Sequence, residues 1–189
     1  KFTGFPEAYA LYALMCFHSS RLDSKLNERN EIIDLKNQDR KKWYGPLIYL
    51  GNQAMMKAVK DGQYSSYHYE AAIAAEHLQA PSFDKTNWDK ILFWYQKLFE
   101  IQPSSFNQLN IANIQIQRKD FDLALQLLEE IDPKNLEQRA YLYYGTKAEY
   151  YAQTEQFKKA IQSIDAALEL VRNETEKNYL IQKKGTLLQ

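Results

Sequence analysis

Apolar residues recur along this chain at intervals of three and four, the period of amphipathic helices. Ala8, Leu11, Tyr12, Met15 and Cys16 follow it after Pro6-Glu7. Proline suits a first helical turn, and the carboxylate complements the positive end of the helix dipole. From Asp23 to Lys36 the period fails. That stretch is mostly polar, with Leu26 and Ile32-Ile33 among its few apolar residues and with Asn27, Asn30 and the adjoining Asn37 as turn formers. It reads as a loop with a short hairpin that returns Ile32-Ile33 beneath the helices. The period resumes from about Asp39 to Val59 through Trp43, Leu47, Leu50, Ala54 and Ala58. Gly45-Pro46 marks an early turn or kink in it, and Asp61-Gly62 is its stop signal. An alanine-rich helix follows, roughly Ser66 to Leu78, built to pack tightly through Ala71, Ala72, Ala74 and Ala75. Thr86-Asn87 then caps a helix from Trp88 to Ile101, whose broad apolar face holds Trp88, Ile91, Leu92, Tyr95, Leu98 and Phe99. Beyond Pro103-Ser104-Ser105 the pattern predicts helices at about 105–118, 120–131, 136–153, 155–172 and 174–188.

The helices after that boundary share more than a period. Ala112 precedes Ala124, within Asp120-Phe121-Asp122-Leu123-Ala124-Leu125, and then Leu128. Ala148 precedes Ala160, within Gln156-Phe157-Lys158-Lys159-Ala160-Ile161, and then Ile164. Both alanines shift by the same 36 residues, 148 − 112 and 160 − 124. Small residues on successive helices let antiparallel backbones approach closely, while the Phe and the large aliphatic fill the groove beside them. That is the logic of the tetratricopeptide repeat, whose period is about 34 residues. The second unit carries the pattern more fully, with Tyr144, Ala148, Tyr151, Ala160, Ile164 and Ala167 in phase.

The expected fold is therefore all-α, with antiparallel helical hairpins stacked as a tetratricopeptide-like right-handed superhelix or bundle. Residues 1–102 form a region of about four helices with the polar loop near 23–37, and residues 103–189 form two hairpins plus a capping helix. The two stretches read as one continuous domain. Such stacks present a concave surface to a partner. Arg139, Tyr141, Tyr144 and Tyr151 are candidates for its wall.

Composition narrows the function classes. Net charge is zero, so no global field recruits nucleic acid or an anionic membrane. Residues 1–60 hold ten basic and six acidic side chains, too mild an excess for a basic DNA-binding stripe. Glycine and proline are scarce at 6 and 5, which disfavours a turn-rich β fold. The single cysteine, Cys16, cannot form an internal disulfide, so a reduced, cytoplasmic setting is the default. No apolar run approaches the ~18 residues of a membrane span. The start, Lys1-Phe2-Thr3-Gly4, lacks Met and any signal-peptide pattern, and reads as a cut within a longer chain.

Chemistry is sparse. Cys16 and His18 lie two apart on one helix and face different ways; Cys16 reads as a buried structural thiol. His68 and His77 lack the i, i+4 spacing of a helical metal pair, and no phosphate loop, Gly-x-Ser-x-Gly or CxxC is present. No metal or cofactor is expected. One run stands apart: Gln38-Asp39-Arg40-Lys41-Lys42-Trp43. Structurally, Asp39 caps a helix, Arg40 pairs with a carboxylate on a neighbouring element and Trp43 anchors in the core. Functionally, the same set lines a pocket or a partner-facing notch. An enzyme or small-ligand receptor would instead bring Arg40, Trp43, Glu70 and His77 around one polar cavity.

Taken together, Pro6-Glu7-Ala8, Ala13-Leu14-Met15 with His18 beyond, and Gln38-Asp39-Arg40 with Trp43 resemble the C-terminal extension of a group of bacterial extracytoplasmic-function sigma factors. Tyr67 to His77, with its Ala71-Ala72-Ile73-Ala74-Ala75 core, is similar to that family's Y-x-L-Q-A-A-I-A-A-x-H stretch. Thr86-Asn87-Trp88 with Ile91 and Tyr95 is similar to its T-D-W-x-x-I-x-x-L-Y, and Leu109-Asn110-Ile111-Ala112 to its L-N-R-A. Tyr69-Glu70 replaces the usual Leu-Gln, and Asn87 the usual Asp. The resemblance spans nearly all of the chain. It implies a repeat-type regulatory module that follows polymerase- and promoter-binding domains absent from this chain. Its partners would be those domains, RNA polymerase or a regulator, with no direct DNA or membrane binding by this segment. A free-standing adaptor that holds a peptide or protein in its concave face is the alternative.

Overall fold

The computed structural model describes residues 5–60 and 62–188. Lys1-Phe2-Thr3-Gly4 and the Asp61 of the expected stop signal lie outside them; the adjoining Gly62 adopts a left-handed φ of 69°, which suits a glycine at a chain reversal. The described residues form nine α-helices and no β-strand: α1 (Pro6–Ser19), α2 (Gly45–Ala58), α3 (Ser66–Gln79), α4 (Trp88–Ile101), α5 (Ser105–Arg118), α6 (Phe121–Glu130), α7 (Ala140–Gln153), α8 (Phe157–Leu170) and α9 (Glu174–Leu187). They divide into two compact units, Lys1–Arg29 with Ile33–Gln102, and Asn30–Ile32 with Pro103–Gln189.

In the first unit α1 packs on α2 and α3, and α3 on α4. Its core is made of small and large side chains in alternation: Ala13, Leu14 and Phe17 from α1, Ala54 from α2, Ala71 and Ala74 from α3. Cys16, also on α1, is buried. At Gly51 the approach of α1 and α2 is close enough that an added Cβ would lie 2.4 Å from Phe17 Cε1. The polar segment folds back on itself, with the Ile33 N–H donating to the Lys25 carbonyl at 2.8 Å. His68, buried on α3, caps its own helix by accepting from the Ser65 N–H at 3.0 Å. That bond leaves Nε2 to carry the ring proton, which points to the Ala58 carbonyl 3.1 Å away and ties the end of α2 to the start of α3.

The helix expected from Asp39 is interrupted. Arg40–Lys42 form one 3-10 turn, Trp43 and Tyr44 are extended, and α2 begins only at Gly45. Pro46 is the cause. Its ring clashes with the carbonyl four residues back, so a helix can start at it but not run through it. The helix expected from 136 is likewise shortened. Asp132 accepts from the Lys134 N–H at 3.0 Å, and residues Pro133–Arg139 run as a 3-10 segment that breaks at Glu137 (φ 50°, ψ −125°) before α7 starts. Leu136 is carried into the core by this turn. Glu137 is exposed and sits in a region open essentially to glycine, a strain of about 1–3 kcal/mol. Glu137→Gly is expected to raise stability by about 1 kcal/mol once glycine's larger unfolded-state entropy is subtracted. Urea unfolding checks this; a lowered midpoint would refute it.

In the second unit α5 packs on α6, α7 on α8 and α8 on α9. All four repeat alanines are sealed: Ala112, Ala124 and Ala160 at 0% exposure and Ala148 at 1%. The 36-residue offset extends to the backbone. Lys119 and Glu155, 155 − 119 = 36 apart, both end their helices in the left-handed conformation, φ 63° and 59°. After each, an amide reaches five residues back: Asp120 N–H to the Gln115 carbonyl at 2.9 Å, Gln156 N–H to the Tyr151 carbonyl at 2.8 Å. This terminator satisfies a carbonyl that the helix end would otherwise orphan. Leu109, Ile116, Leu128, Leu136, Tyr143 and Tyr150 form one core cluster, and Ile164, Ala167, Val171 and Leu180 gather with Ala148 in another. Leu180 brings α9 into that second cluster. Tyr143 and Tyr150 are the buried rings, whereas Tyr144 and Tyr151 are only partly buried; the Tyr143 hydroxyl donates to the Leu128 carbonyl at 3.2 Å.

Candidate functional site

The run Gln38 to Trp43 is held against the turn that follows α1. Trp43 is 8% exposed, and its indole N–H donates to Ser24 Oγ at 3.0 Å. The Ser24 hydroxyl in turn donates to the Arg21 carbonyl at 2.8 Å. Gln38 is buried with both ends of its amide used: Nε2 donates to the Ile33 carbonyl at 3.1 Å, and Oε1 accepts from Arg21 Nε at 3.3 Å. Asp39 is exposed and caps the 3-10 turn by accepting from the Lys41 N–H at 3.0 Å.

Among the described residues Arg40 meets no carboxylate, contrary to the pairing expected of it. Its Nη1 donates to the His77 carbonyl at 2.7 Å, and its guanidinium lies over the Trp43 ring, 4.3 Å from the centroid. The physical reason is the position of His77 in the last turn of α3. Carbonyls there have no intrahelical donor and carry the negative end of the dipole, so they compete well for a cation. Arg21 approaches the same indole at 5.7 Å. His77 stands edge-on to Trp88 with ring centroids 5.6 Å apart, and Phe83 does so at 5.2 Å.

This corner of the first unit is therefore cationic and partly dry. Burial lowers the Arg21 pKa, and the neighbouring Arg40 lowers it further. Burial lowers Arg40 as well. Burial, then Arg21 and Arg40, brings His77 down to about 4, so the ring is neutral near pH 7. Lys25 is lowered by burial and then by Arg21, and His18 by burial, then Lys25, then Arg21. Arg40 Nη2 and His77 Nδ1 are buried without a hydrogen-bond partner among the described residues.

Comparison with known proteins brackets this corner. Residues 1–59 match a family of unknown function (DUF6596). An uncharacterized protein of Rhizobium meliloti is 30% identical over 176 residues, which cover 93% of this chain and 41% of the relative. The chain thus spans about two fifths of the length of the relative it matches. No solved structure matches it. Arg21, Ser24, Lys25, Gln38, Arg40 and Trp43 all fall within the family match, while His77 and Trp88 lie outside it.

The other sequence candidates stand apart from the corner. Glu70 lies two turns before His77 on α3; burial raises its pKa. Burial and the nearby Glu70 push Tyr95 up to about 12. In the second unit the Arg139 guanidinium lies 5.7 Å from the Phe106 centroid. Tyr141 donates to Glu176 at 2.7 Å, which ties α7 to α9; burial and that bond push Tyr141 up to about 12. Tyr144 packs edge-on to Tyr143 at 5.1 Å between the two core clusters. Arg21, Ser24 and Lys25 escape sequence reasoning, because a polar loop offers no periodicity to single them out. The only signal is the local spacing of cations and leucines in Arg21-Leu22-Asp23-Ser24-Lys25-Leu26.

Proposed function

We propose that this chain is a protein-interaction module of the kind that extracytoplasmic-function sigma factors carry after their polymerase- and promoter-binding domains. It acts in the cytoplasm, by binding and not by catalysis, and sets transcriptional output by contacting those domains, RNA polymerase or a regulator. The observation that supports this most is the doubled unit of residues 105–170, in which sealed alanines and left-handed terminators recur at one offset. That is how a tetratricopeptide-like stack brings its helices together, with α9 as the solvating cap. The greater length of the Rhizobium meliloti relative supports a module joined to other domains.

The test has two arms. The full reading frame that contains this segment is expected to encode a polymerase-binding region upstream of it. Deleting residues 1–189 from that protein is then expected to change output from its target promoter by several-fold. A frame without such a region would favour the free-standing adaptor. An unchanged promoter output would end the regulatory reading.

A further inference from the structure

We propose that Arg21 and Arg40, gathered on the Trp43 indole with Lys25 beside them, form a docking site for carboxylate side chains of an acidic, leucine-rich segment of a partner protein. This deepens the reading of the chain as a binding module, but does not depend on its link to transcription.

The first argument is charge without a counter-charge. Among the described residues, neither arginine nor Lys25 takes part in an ion pair. The nearby carboxylates are engaged elsewhere or point to water. Asp39 caps the Lys41 amide, Glu76 faces Lys90 at 3.6 Å, and Asp23 is exposed. Like charges held in a partly buried corner repel more strongly than they would in open water. A folded protein that keeps such a corner, with a buried guanidinium nitrogen unpartnered, is complementary to an anion. Burial first, and the neighbouring cations after it, lower the pKa values of Arg21, Lys25 and His18.

The second argument selects the anion. Arg21 and Lys25 alternate with Leu22 and Leu26, which are 59% and 44% exposed. A ligand that fits must offer carboxylates and aliphatic groups at close spacing, as an acidic peptide does. An extended polyanion such as a nucleic acid would run its phosphates past Asp23 and Asp39, and the chain as a whole has no net positive charge to offset that repulsion.

The full chain, isotopically labelled, is titrated with a short synthetic peptide of interleaved Glu and Leu, with its Gln and Leu counterpart, and with inorganic phosphate. The indole N–H of Trp43 and the guanidinium N–H signals of Arg21 and Arg40 are followed by NMR. The Glu peptide is expected to shift these signals, with an affinity that falls as salt is added. Arg21→Gln and Lys25→Gln are each expected to weaken it by about tenfold, whereas Lys177→Gln on α9 leaves it unchanged. Lys25→Gln removes no side-chain hydrogen bond to any described residue, so it keeps the test open if Arg21→Gln unfolds. Shifts confined to other residues, an affinity left unchanged by both Arg21→Gln and Lys25→Gln, or equal binding of phosphate or of the Gln peptide would overturn the proposal.

Discussion

Trp43→Ala is expected to destabilise the protein by about 3–5 kcal/mol, the range for deleting a buried large aromatic side chain. Three losses coincide at this position. Almost the whole indole is removed from water in the native state. Its N–H satisfies Ser24 Oγ, which is itself buried. Its ring is also the surface on which both Arg40 and Arg21 rest, and each such cation–π contact contributes about 0.5–1 kcal/mol. Trp43→Phe separates these terms. It keeps much of the apolar burial and a ring face, but leaves Ser24 without its donor, for a cost of about 1–3 kcal/mol. Urea unfolding followed by far-UV circular dichroism measures both. A loss below 1 kcal/mol for the alanine variant would show that the corner is not cooperatively packed with the rest of its unit.

Gly51→Ala is expected to destabilise, against the usual rule for helices. Replacing an interior helical glycine by alanine normally gains about 1 kcal/mol. Here the new methyl would sit 2.4 Å from Phe17 Cε1 and 2.7 Å from Cδ1. Phe17 is among the most buried side chains of the molecule, so its ring cannot swing away into solvent. Overpacking costs about 1–3 kcal/mol and outweighs the propensity gain. Gly185 supplies the control. It also lies inside a helix, α9, but a Cβ there meets nothing within 4 Å, so Gly185→Ala is expected to stabilise by up to about 1 kcal/mol. The same substitution on two helices thus changes sign. A rise in stability for Gly51→Ala would mean that α1 and α2 can part at little cost. Shrinking the ring with Phe17→Leu in the Gly51→Ala background is expected to recover part of the loss, a coupling that only neighbouring sites show.

The two sets of residues differ in how legible they were. The alanines of the repeat could be found from sequence because a second copy repeats them at the same interval, and a coincidence of two small residues at one offset is a strong statement about close helix approach. Gly51 has no second copy. A lone glycine between Leu50 and Asn52 is consistent with a weak helix, a kink or a packing contact, and only the position of Phe17 chooses between them. Arg40 shows the same limit. Its neighbours in sequence suggested a carboxylate partner, but the acceptor it meets in space is a backbone carbonyl in the last turn of α3.

What the sequence determined by itself was the all-helical character, the positions of most helix ends and the pairing of helices in the repeats. These follow from local rules: apolar period, caps, and side-chain size at matched intervals. The tertiary structure alone decided that Tyr143 and Tyr150 would take the core places, and that Arg21 would join Arg40 on one indole. Each of these depends on which distant groups meet and on which partner lowers the cost of burying a polar or bulky side chain. A one-dimensional pattern does not carry that information, because the competing partners are separated by tens of residues along the chain.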